Sequence, residues 1–557
     1  MAGCRKRAPV TIGYGVDAFT SALQPTGNPQ VARYTLRPHS PAQVTVEFGP
    51  AYGLKTWTVS ASPSDPARIL VAGMRADTTY HMRAEVRFRD GTEIDDADHA
   101  FRTGHYKLSM LPPITVQFHG QPQPGVELLN LAGADYQAMV TDLQGHVLWA
   151  YDYPDRESIR EIQIHRDIHA VWLTLRGWKN EVRGWFGLPP QGRSFWWDAS
   201  MFRTPPKRLQ TSTMINPIKQ LPNGNFLIVI APASFDLINS PDGKPAPDTT
   251  VVLREVNLAG QVVRNLTMRR LDRELRASGY RGPQLELLHH DFALLPNGHI
   301  ILLANATKEF SNLPGYPGTT RVVGDVLVDL DRNWKPVWTW NEFDHLDVRH
   351  HPLGLPDWTH TNAVVYTKDD GNLIVSMRAQ HWVIKIDYDN GKGSGKILWR
   401  LGPGGDLRLI GGQAPTDWNY GQHDPVIFGN RDAGVFDLGM MDNGFGRIMP
   451  DGKVCGTKGA PACYSAAVIY RIDAKAKTAA IVFRKVFPPS QYSFWGGSVQ
   501  PLANGDIEID MCSVGKDSDI YEMTRTADPK TVWQMHVANT NVYRSERLGS
   551  LYPGVQW

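Results

Sequence analysis

Short apolar strands separated by tight polar turns repeat along most of the chain. One repeated element is an apolar strand, a Pro-Asn-Gly or similar turn and a second apolar strand, with its turns at residues 221–224, 295–298, 370–372 and 503–505. The Asn-Gly pairs supply the positive φ that a tight hairpin needs. A second strand–turn–strand element, mostly with an aromatic end, occurs at 142–149, 256–263, 329–340, 387–399, 473–483 and 522–533. Two hairpins make a four-stranded blade, so the pattern predicts an all-β chain whose residues 106–557 form a six-bladed β-propeller, within one blade of that count.

The chain before residue 106 has a different pattern. Residues 44–48 and 56–59 alternate between apolar and polar side chains, as half-buried strands do. Tyr80 begins a late strand after a polar corner, a position typical of the tyrosine corner of β-sandwiches. Residues 31–105 therefore resemble a fibronectin type III-like β-sandwich domain, which follows an N-terminal segment of residues 1–30.

Composition supports an all-β chain and argues against some classes of binding partner. The 557 residues include 51 Gly, 40 Pro and 17 Trp, which favour many turns and many aromatic contacts. A net charge of +2 gives no electrostatic reason to expect nucleic acid binding. No apolar run approaches the roughly 18 residues that a membrane helix requires.

The cysteines bear on the compartment. Ala2-Gly3-Cys4 resembles the end of a bacterial lipoprotein box, in which the Cys carries the lipid, although a chance match on a cytosolic chain is the competing interpretation. Cys455 and Cys463 flank a short Gly/Pro/Lys loop and could form a local disulfide, which needs an oxidising compartment. We therefore expect a periplasmic or other cell-envelope protein, attached to the membrane through a lipidated Cys4.

Polar residues precede the predicted innermost strand of several blades, and such positions meet at one mouth of a propeller channel. The residues are His289, His290 and Asp291 in one blade, His360, Thr361 and Asn362 in the next, Gln422, His423 and Asp424 in the third, and Ser498 in the last. One His before a strand is usually a packed or capping residue, but three at equivalent positions indicate a functional cluster. Such a cluster suits either a metal or an oxyanion. Arg378 nearby favours the anion, because a guanidinium fork matches tetrahedral oxyanions.

Taken together, these motifs resemble the bacterial aryl-sulfate sulfotransferase family, which does not use the nucleotide donor PAPS. The motifs are His360-Thr361-Asn362, Arg378, Gln422-His423, the stretch 442–447, Tyr464-Ser465-Ala466 and Tyr543-Arg544. The resemblance implies a propeller whose channel mouth holds a nucleophilic His, and a ping-pong transfer of a sulfuryl group between phenols through sulfohistidine. It implies no required cofactor, and it leaves open a structural ion and a homodimer.

Matched residue by residue, the resemblance assigns His423 as the nucleophile. Arg378, His360 and Asn362, with Thr361, would bind the sulfuryl oxygens, and His360 or His290 would protonate the leaving phenolate. His289, directly before His290, is an equally adjacent candidate for the same family position. Additional candidates for contact with the aryl sulfate or phenol are Ser498, Tyr420 and Trp495.

One departure from the family pattern bears on the shape of the acceptor entrance, and two rival functions stay open. The family members carry a disulfide loop just before the nucleophile, whereas residues 414–421 here contain no Cys and the Cys455/Cys463 pair comes after His423. One rival function is a metal-dependent propeller enzyme with His290, His360 and His423 as ligands. The other is a non-catalytic, envelope-anchored binding protein.

Overall fold

The structure, a computed structural model, describes residues 18–132, 136–151, 213–232, 252–432 and 434–552. In these ranges the only α-helices are α1 (Met268–Ala277) and α2 (Glu342–His345). Single 3-10 turns lie at Leu108–Met110, Arg378–Gln380, Asp389–Gly391 and Pro489–Gln491. The predicted all-β class is confirmed. No helix in the described ranges has the length and apolar character needed to cross a membrane.

The first described residues form two small sheets around one core. One sheet has the order β1 (Phe19–Pro25), β2 (Ala32–Pro38), β6 (Ala67–Val71). The other has the order β4 (Leu54–Lys55), β3 (Ala42–Gly49), β7 (Thr79–Phe88), β8 (Glu93–Asp95), with β5 (Val59–Ala61) on β3 and β9 (His99–Arg102) on β7. Alternate residues of β3 are buried, as the sequence pattern predicts. Because β1 pairs with β2, the first sheet begins before residue 31, inside the predicted N-terminal segment.

The predicted tyrosine corner is present in these sheets. Tyr80 is the second residue of β7, and its hydroxyl oxygen accepts a hydrogen bond from the backbone N–H of Arg75 at 2.9 Å. The bond fixes the path of the chain into β7, as it does in sandwich domains.

Six further antiparallel sheets follow in the described ranges, each built mainly from consecutive strands. The first contains β11 (Val126–Ala132), β12 (Ala138–Asp142), β13 (Val147–Tyr151) and β35 (Asn541–Leu548). The second contains β14 (Thr213–Gln220), β15 (Phe226–Pro232), β16 (Val252–Val256) and β17 (Val262–Thr267). The third contains β18 (Leu285–Leu294), β19 (Ile300–Leu313), β20 (Tyr316–Leu330) and β21 (Pro336–Asn341).

The remaining three sheets continue the series. The fourth contains β22 (Thr361–Thr367), β23 (Asn372–Met377), β24 (Trp382–Ile386) and β25 (Ile397–Leu401). The fifth contains β27 (His423–Asp432), β28 (Val435–Asp442), β29 (Ala466–Asp473), β30 (Thr478–Val486) and a short parallel edge strand, β26 (Arg408–Ile410). The sixth contains β31 (Ser498–Pro501), β32 (Ile507–Val514), β33 (Asp517–Met523), β34 (Thr531–Val537) and β10 (Ile114–Phe118).

The turns predicted from the sequence join the expected strands. The Asn-Gly turns and their relatives link the first two strands of the second, third, fourth and sixth sheets. The other repeated element forms the outer hairpin of each sheet. Gly224 and Gly298 have φ of +80° and +81°, the left-handed values for which glycine is suited.

The two ends of this region interlock. Strand β10 joins the sixth sheet beside β34, and β35 joins the first sheet beside β11. Buried Arg547 of β35 holds both sheets, with Nε 2.6 Å from Glu127 Oε2 and Nη1 2.9 Å from Glu522 Oε2. Removing one member of such a buried ion pair typically destabilises a protein by about 3–5 kcal/mol.

The edge strands of the six sheets line one cavity of about 450 Å³. Its walls come from β14, β18, β22, β27, β31 and β35, with two residues of β11. The polar residues predicted to precede these edge strands therefore lie at one end of a shared central space.

Candidate active site

His423 is the first residue of β27, and its ring is held by one side chain. Its Nδ1 lies 2.7 Å from Asn443 Oδ1 and 3.1 Å from the carbonyl oxygen of Gly421. Asn443 Nδ2 donates to the carbonyl oxygens of Ser493 and Gly496, both at 2.9 Å. Because the amide nitrogen is committed to two carbonyls, Oδ1 must face the imidazole. Nδ1 of His423 therefore carries the proton, and Nε2 carries the lone pair.

His423 is also kept neutral by its surroundings. Burial lowers its pKa well below the usual value of 6.5, and the positive charge of Arg378 lowers it further. His360 and Arg544 act in the same direction, whereas the bond to Asn443 opposes them. The imidazole is therefore uncharged at neutral pH, and Nε2 can act as a nucleophile.

Three residues at this end of the edge strands have left-handed backbones. His290, His360 and Asp424, which follows His423, have φ of 53°, 47° and 48°. Such values are unfavourable for residues other than Gly by roughly 1–3 kcal/mol and tend to occur at functional sites. The same backbone conformation is thus repeated in three adjacent sheets.

The rings of His290 and His360 pack edge to face, with centroids 4.7 Å apart. His360 Nδ1 lies 2.6 Å from Asp357 Oδ2, so the carboxylate accepts its proton and orients the ring. His290 has a pKa held well below its usual value, first by burial and then by His360, His289 and His423.

The structure distinguishes His289 from His290. The ring of His290 lies beside His360 and also 5.8 Å from the ring of Tyr543. His289 points into the protein, where its Nε2 lies 2.9 Å from buried Asp325 Oδ1. His290 is therefore the member of the pair that faces the other site histidines.

Arg378 lies in the 3-10 turn that follows β23 and is buried. Its backbone N–H donates to the carbonyl oxygen of His360 at 3.1 Å, which ties it to the adjacent site residue. Its guanidinium carbon lies 4.8 Å from the centre of the Phe445 ring.

Asn362 and Thr361 are buried beside the cluster and support it from behind. Asn362 Nδ2 donates to the carbonyl oxygen of Gln422 at 2.7 Å, so it braces the turn that precedes His423. Thr361 donates its backbone N–H to Asp325 Oδ2 at 2.7 Å, and its hydroxyl donates to Glu342. Thr361 is thus engaged in the buried network around Asp325.

One of the remaining candidates joins the cluster. The ring of Trp495 lies 6.1 Å from that of Tyr543, which in turn lies 6.0 Å from the ring of His423. These two aromatic rings therefore form one wall beside the nucleophile candidate.

The other two candidates have internal partners. Tyr420 is buried, and its hydroxyl donates to the carbonyl oxygen of Pro415 at 3.2 Å. Ser498 is buried at the start of β31 and donates to the carbonyl oxygen of Ser545 at 3.2 Å. In this structure both bonds hold neighbouring backbone.

Arg544, to which the sequence pattern assigns no role of its own, forms the floor of the site. Its Nη2 donates to the carbonyl oxygen of Asn362 at 2.7 Å, and its Nη1 lies 3.1 Å from Asp291 Oδ1. Nε lies 3.4 Å from Asp424 Oδ1, and Lys219 adds a second cation 2.8 Å from Asp291. Arg544 thus joins β35 to three neighbouring sheets directly beneath the histidines.

A disulfide follows the site in sequence. The structure links Cys455 to Cys463, and Cys455 Sγ lies 3.4 Å from the carbonyl oxygen of Gly444, next to Asn443. Cys512 is a buried free thiol. In the part of the chain that the structure describes, no group of three or more His, Cys, Asp or Glu side chains could hold a metal ion.

Comparison with known proteins gives one family. The model of the arylsulfotransferase (ASST) family matches residues 129–544. Among solved structures, a Bacteroides fragilis protein described as a 6-phosphogluconolactonase is 8% identical, with 91% of this chain and 98% of that chain covered and a TM-score of 0.28. A mutant of the Synechocystis apocarotenoid oxygenase is 12% identical, with 78% and 94% covered and a TM-score of 0.30. A search of curated proteins gave no match.

Proposed function

Because the chain belongs to the arylsulfotransferase family, we propose that it moves a sulfuryl group from an aryl sulfate to a phenol without a nucleotide donor, with His423 as the nucleophile. The observation that carries this proposal is the neutral, buried imidazole of His423, whose lone pair is fixed on Nε2 by Asn443. An imidazole prepared in this way suits covalent transfer.

In the first half-reaction, Nε2 of His423 attacks the sulfur atom, and the bond from sulfur to the phenolic oxygen breaks. The phenolate leaves with a proton taken from an acid in the site, and the sulfuryl group stays on Nε2. Negative charge on the three sulfuryl oxygens is stabilised by Arg378 and by donors such as His360, while Asn362 braces the turn before His423. In the second half-reaction, an acceptor phenol gives up its proton and its oxygen attacks the same sulfur, which restores His423.

The fold that we propose for this chemistry is a six-bladed β-propeller over residues 106–557, preceded by a fibronectin type III-like domain. The six antiparallel sheets, the edge strands that line one cavity and the interlocked ends support the propeller. The division of β1–β9 into two sheets, with the Tyr80 corner, supports the second assignment. A shared core holds β1–β9 and the six later sheets together, and in it the ring centroids of Trp57 and Tyr552 lie 5.7 Å apart.

We further propose a location outside the cytoplasmic membrane, supported by the Cys455–Cys463 disulfide. Attachment through Cys4 stays a prediction, because residues 1–17 lie outside the described ranges. A homodimer also stays a prediction.

A burst experiment tests the catalytic proposal. Enzyme mixed with 4-nitrophenyl sulfate and no acceptor should release about one phenol per active site and gain one SO3 mass on the peptide with His423. Added phenol should remove this mass and yield phenyl sulfate. His423→Ala should abolish both events, whereas His146→Ala, which changes a half-exposed histidine bound to Asp142, should keep them.

Three results would contradict the proposal. A label on His290 or His360 would move the nucleophile. Transfer without a covalent label would exclude the double displacement. An activity that is lost with a chelator and restored with a metal ion would favour a metal-dependent enzyme.

A further inference from the structure

A line of three side chains runs from the site into the core. Asp325 Oδ1 lies 2.9 Å from His289 Nε2, and His289 Nδ1 lies 2.5 Å from His290 Nδ1. The two imidazole rings are perpendicular, with centroids 4.8 Å apart. The far end of this line, the ring of His290, faces His360. The transfer proposed for His423 assigns no role to His289 or Asp325.

The hydrogen bond between the two Nδ1 atoms holds one proton, which can belong to either ring. Asp325 accepts the Nε2–H of His289 in both cases. If the shared proton belongs to His290, both rings are neutral and His290 Nε2 has a lone pair. If it belongs to His289, that ring is a cation beside Asp325, and His290 is neutral with its own proton on Nε2.

The hydrogen bonds that Asp325 accepts favour its ionised form beside such a cation. It accepts hydrogen bonds from the backbone N–H of Thr361 at 2.7 Å, from the Thr359 hydroxyl at 3.2 Å and from Asn305 Nδ2. Burial raises the pKa of Asp325, but His289, the backbone N–H of Thr361 and His360 together hold it below the usual value.

His290 itself is poorly placed to hold the charge. Burial keeps its pKa well below 6.5, and the charges of His360, His289, His423 and Arg544 lower it further. A positive charge is therefore more favourable one ring further back, next to Asp325, because like charges repel and opposite charges attract.

We propose that His290 is the general acid and base of the transfer, and that His289 and Asp325 are positioning residues that store its proton. This inference rests on the proposed function. When the donor bond breaks, His290 Nε2–H passes its proton to the phenolate oxygen, and the Nδ1–H of His289 moves to His290 Nδ1. His289 changes from cation to neutral, and phenol leaves. The acceptor phenol reverses both proton transfers in the second half-reaction.

His360 then has a separate task. Its Nδ1 lies 2.6 Å from a carboxylate of its own, Asp357, with no second ring between them. A direct partner orients the ring to donate from Nε2, which suits binding of a sulfuryl oxygen throughout the reaction. The two histidines thus divide anion binding and proton transfer between them.

The test is the His289→Gln variant, assayed with aryl sulfates whose phenols differ in acidity. Gln can accept from His290 and donate to Asp325, but it cannot hold the extra proton. We expect a burst with 4-nitrophenyl sulfate close to that of the wild type, because this phenol leaves without help. The burst with phenyl sulfate should fall by roughly 10²-fold, the lower end of general acid catalysis.

Two comparisons sharpen the result. His290→Gln should show the same dependence on phenol acidity, and adding His289→Gln to it should cause little further loss, because both act in one step. His299→Gln is the matched control, since His299 Nδ1 lies 3.0 Å from Asp329 at the other end of the same hairpin. It should leave every rate unchanged.

The outcomes separate this inference from the proposed function. Equal loss with all substrates, or no loss with any, would overturn the proton store while the wild-type burst and the His423 label stood. Absence of any burst from the wild type would overturn both. Nitrogen-15 NMR of the wild type at a pH of active turnover gives a second measurement: we expect His289 to carry two ring protons and His290 one. A neutral His289 would refute the proposal whether or not the variant folds.

Discussion

Replacing Asn443 with Ala removes the group that fixes the lone pair of His423, and its effect can be worked out from the structure. Asn443 Oδ1 accepts from His423 Nδ1 at 2.7 Å, and its amide nitrogen serves two backbone carbonyls. Sulfurylation of Nε2 leaves the His423 ring cationic, because Nδ1 keeps its proton. The bond to Asn443 is therefore stronger in the intermediate than in the free enzyme.

A hydrogen bond between neutral groups contributes about 1 kcal/mol, and one to a charged group about 1.5–3 kcal/mol. The difference, about 0.5–2 kcal/mol, corresponds to a loss of roughly 2- to 30-fold in the burst rate of Asn443→Ala. Without Asn443, His423 can also place its proton on Nε2, which lowers the nucleophilic fraction further. The carbonyl oxygen of Gly496 loses its Asn443 donor, whereas that of Ser493 keeps the Ser465 hydroxyl, so the free energy of unfolding should fall by about 1–3 kcal/mol.

The assay is stopped-flow release of 4-nitrophenol, together with nitrogen-15 NMR of the ring protons of His423. Ser465→Ala is the control, because the Ser465 hydroxyl bonds the carbonyl oxygen of Asn443 at 2.9 Å without touching the imidazole. It should lower stability and leave the proton on Nδ1. A wild-type burst rate in Asn443→Ala, with the proton still on Nδ1, would show that the carbonyl of Gly421 suffices and refute the reasoning.

Two further changes test the frame around the site. Burial lowers the pKa of His381 to about 3, and its Nδ1 accepts from the backbone N–H of Gly421 at 3.0 Å. Between pH 6.5 and 3 the unfolded chain binds a proton that the folded protein excludes, so stability should fall by about 1.4 kcal/mol per pH unit as pH drops. His381→Asn keeps an acceptor and tolerates the left-handed φ of 57°. The free energy of unfolding of this variant, measured in urea, should therefore fall less steeply than that of the wild type as the pH drops. An unchanged dependence on pH would contradict this. Arg378→Lys should keep the positive charge but lose the forked N–H donors of the guanidinium group. The burst should be slower by about 10-fold or more, while His423 still takes up the sulfuryl label. An unchanged rate would show that the forked donors are not used.

The hairpins were predictable because their determinants are local. Asn-Gly turns fix the positive φ, and the apolar residues around them fix the strands, so the sequence located the turns of four sheets. The histidines could be placed at one end of the edge strands for the same reason. The number of residues between each histidine and the turn after its edge strand is set by the length of that strand.

Side-chain direction was not predictable in the same way. Alternation along β18 would assign His289 and His290 to opposite faces without saying which of them faces the central cavity, and the pairing of β18 with β19 shifts in register between Leu288 and Phe292. Thr361 and Asn362 present the same problem at the start of β22. Asn443 is separated from His423 by a whole hairpin, so no local pattern connects its amide with the imidazole.

The hydrogen-bond partners of the three histidines differ, and these differences match the three separate tasks that we propose for His423, His360 and His290. His423 is bonded to an amide, which orients it but adds no charge, so its ring stays neutral and nucleophilic. His360 is bonded directly to the carboxylate of Asp357, which favours a lasting donor for an anion. His290 reaches the carboxylate of Asp325 only through His289, which allows a proton to arrive and depart without leaving a cation at the reaction centre. The residue behind each imidazole, rather than the imidazole itself, therefore decides its chemistry.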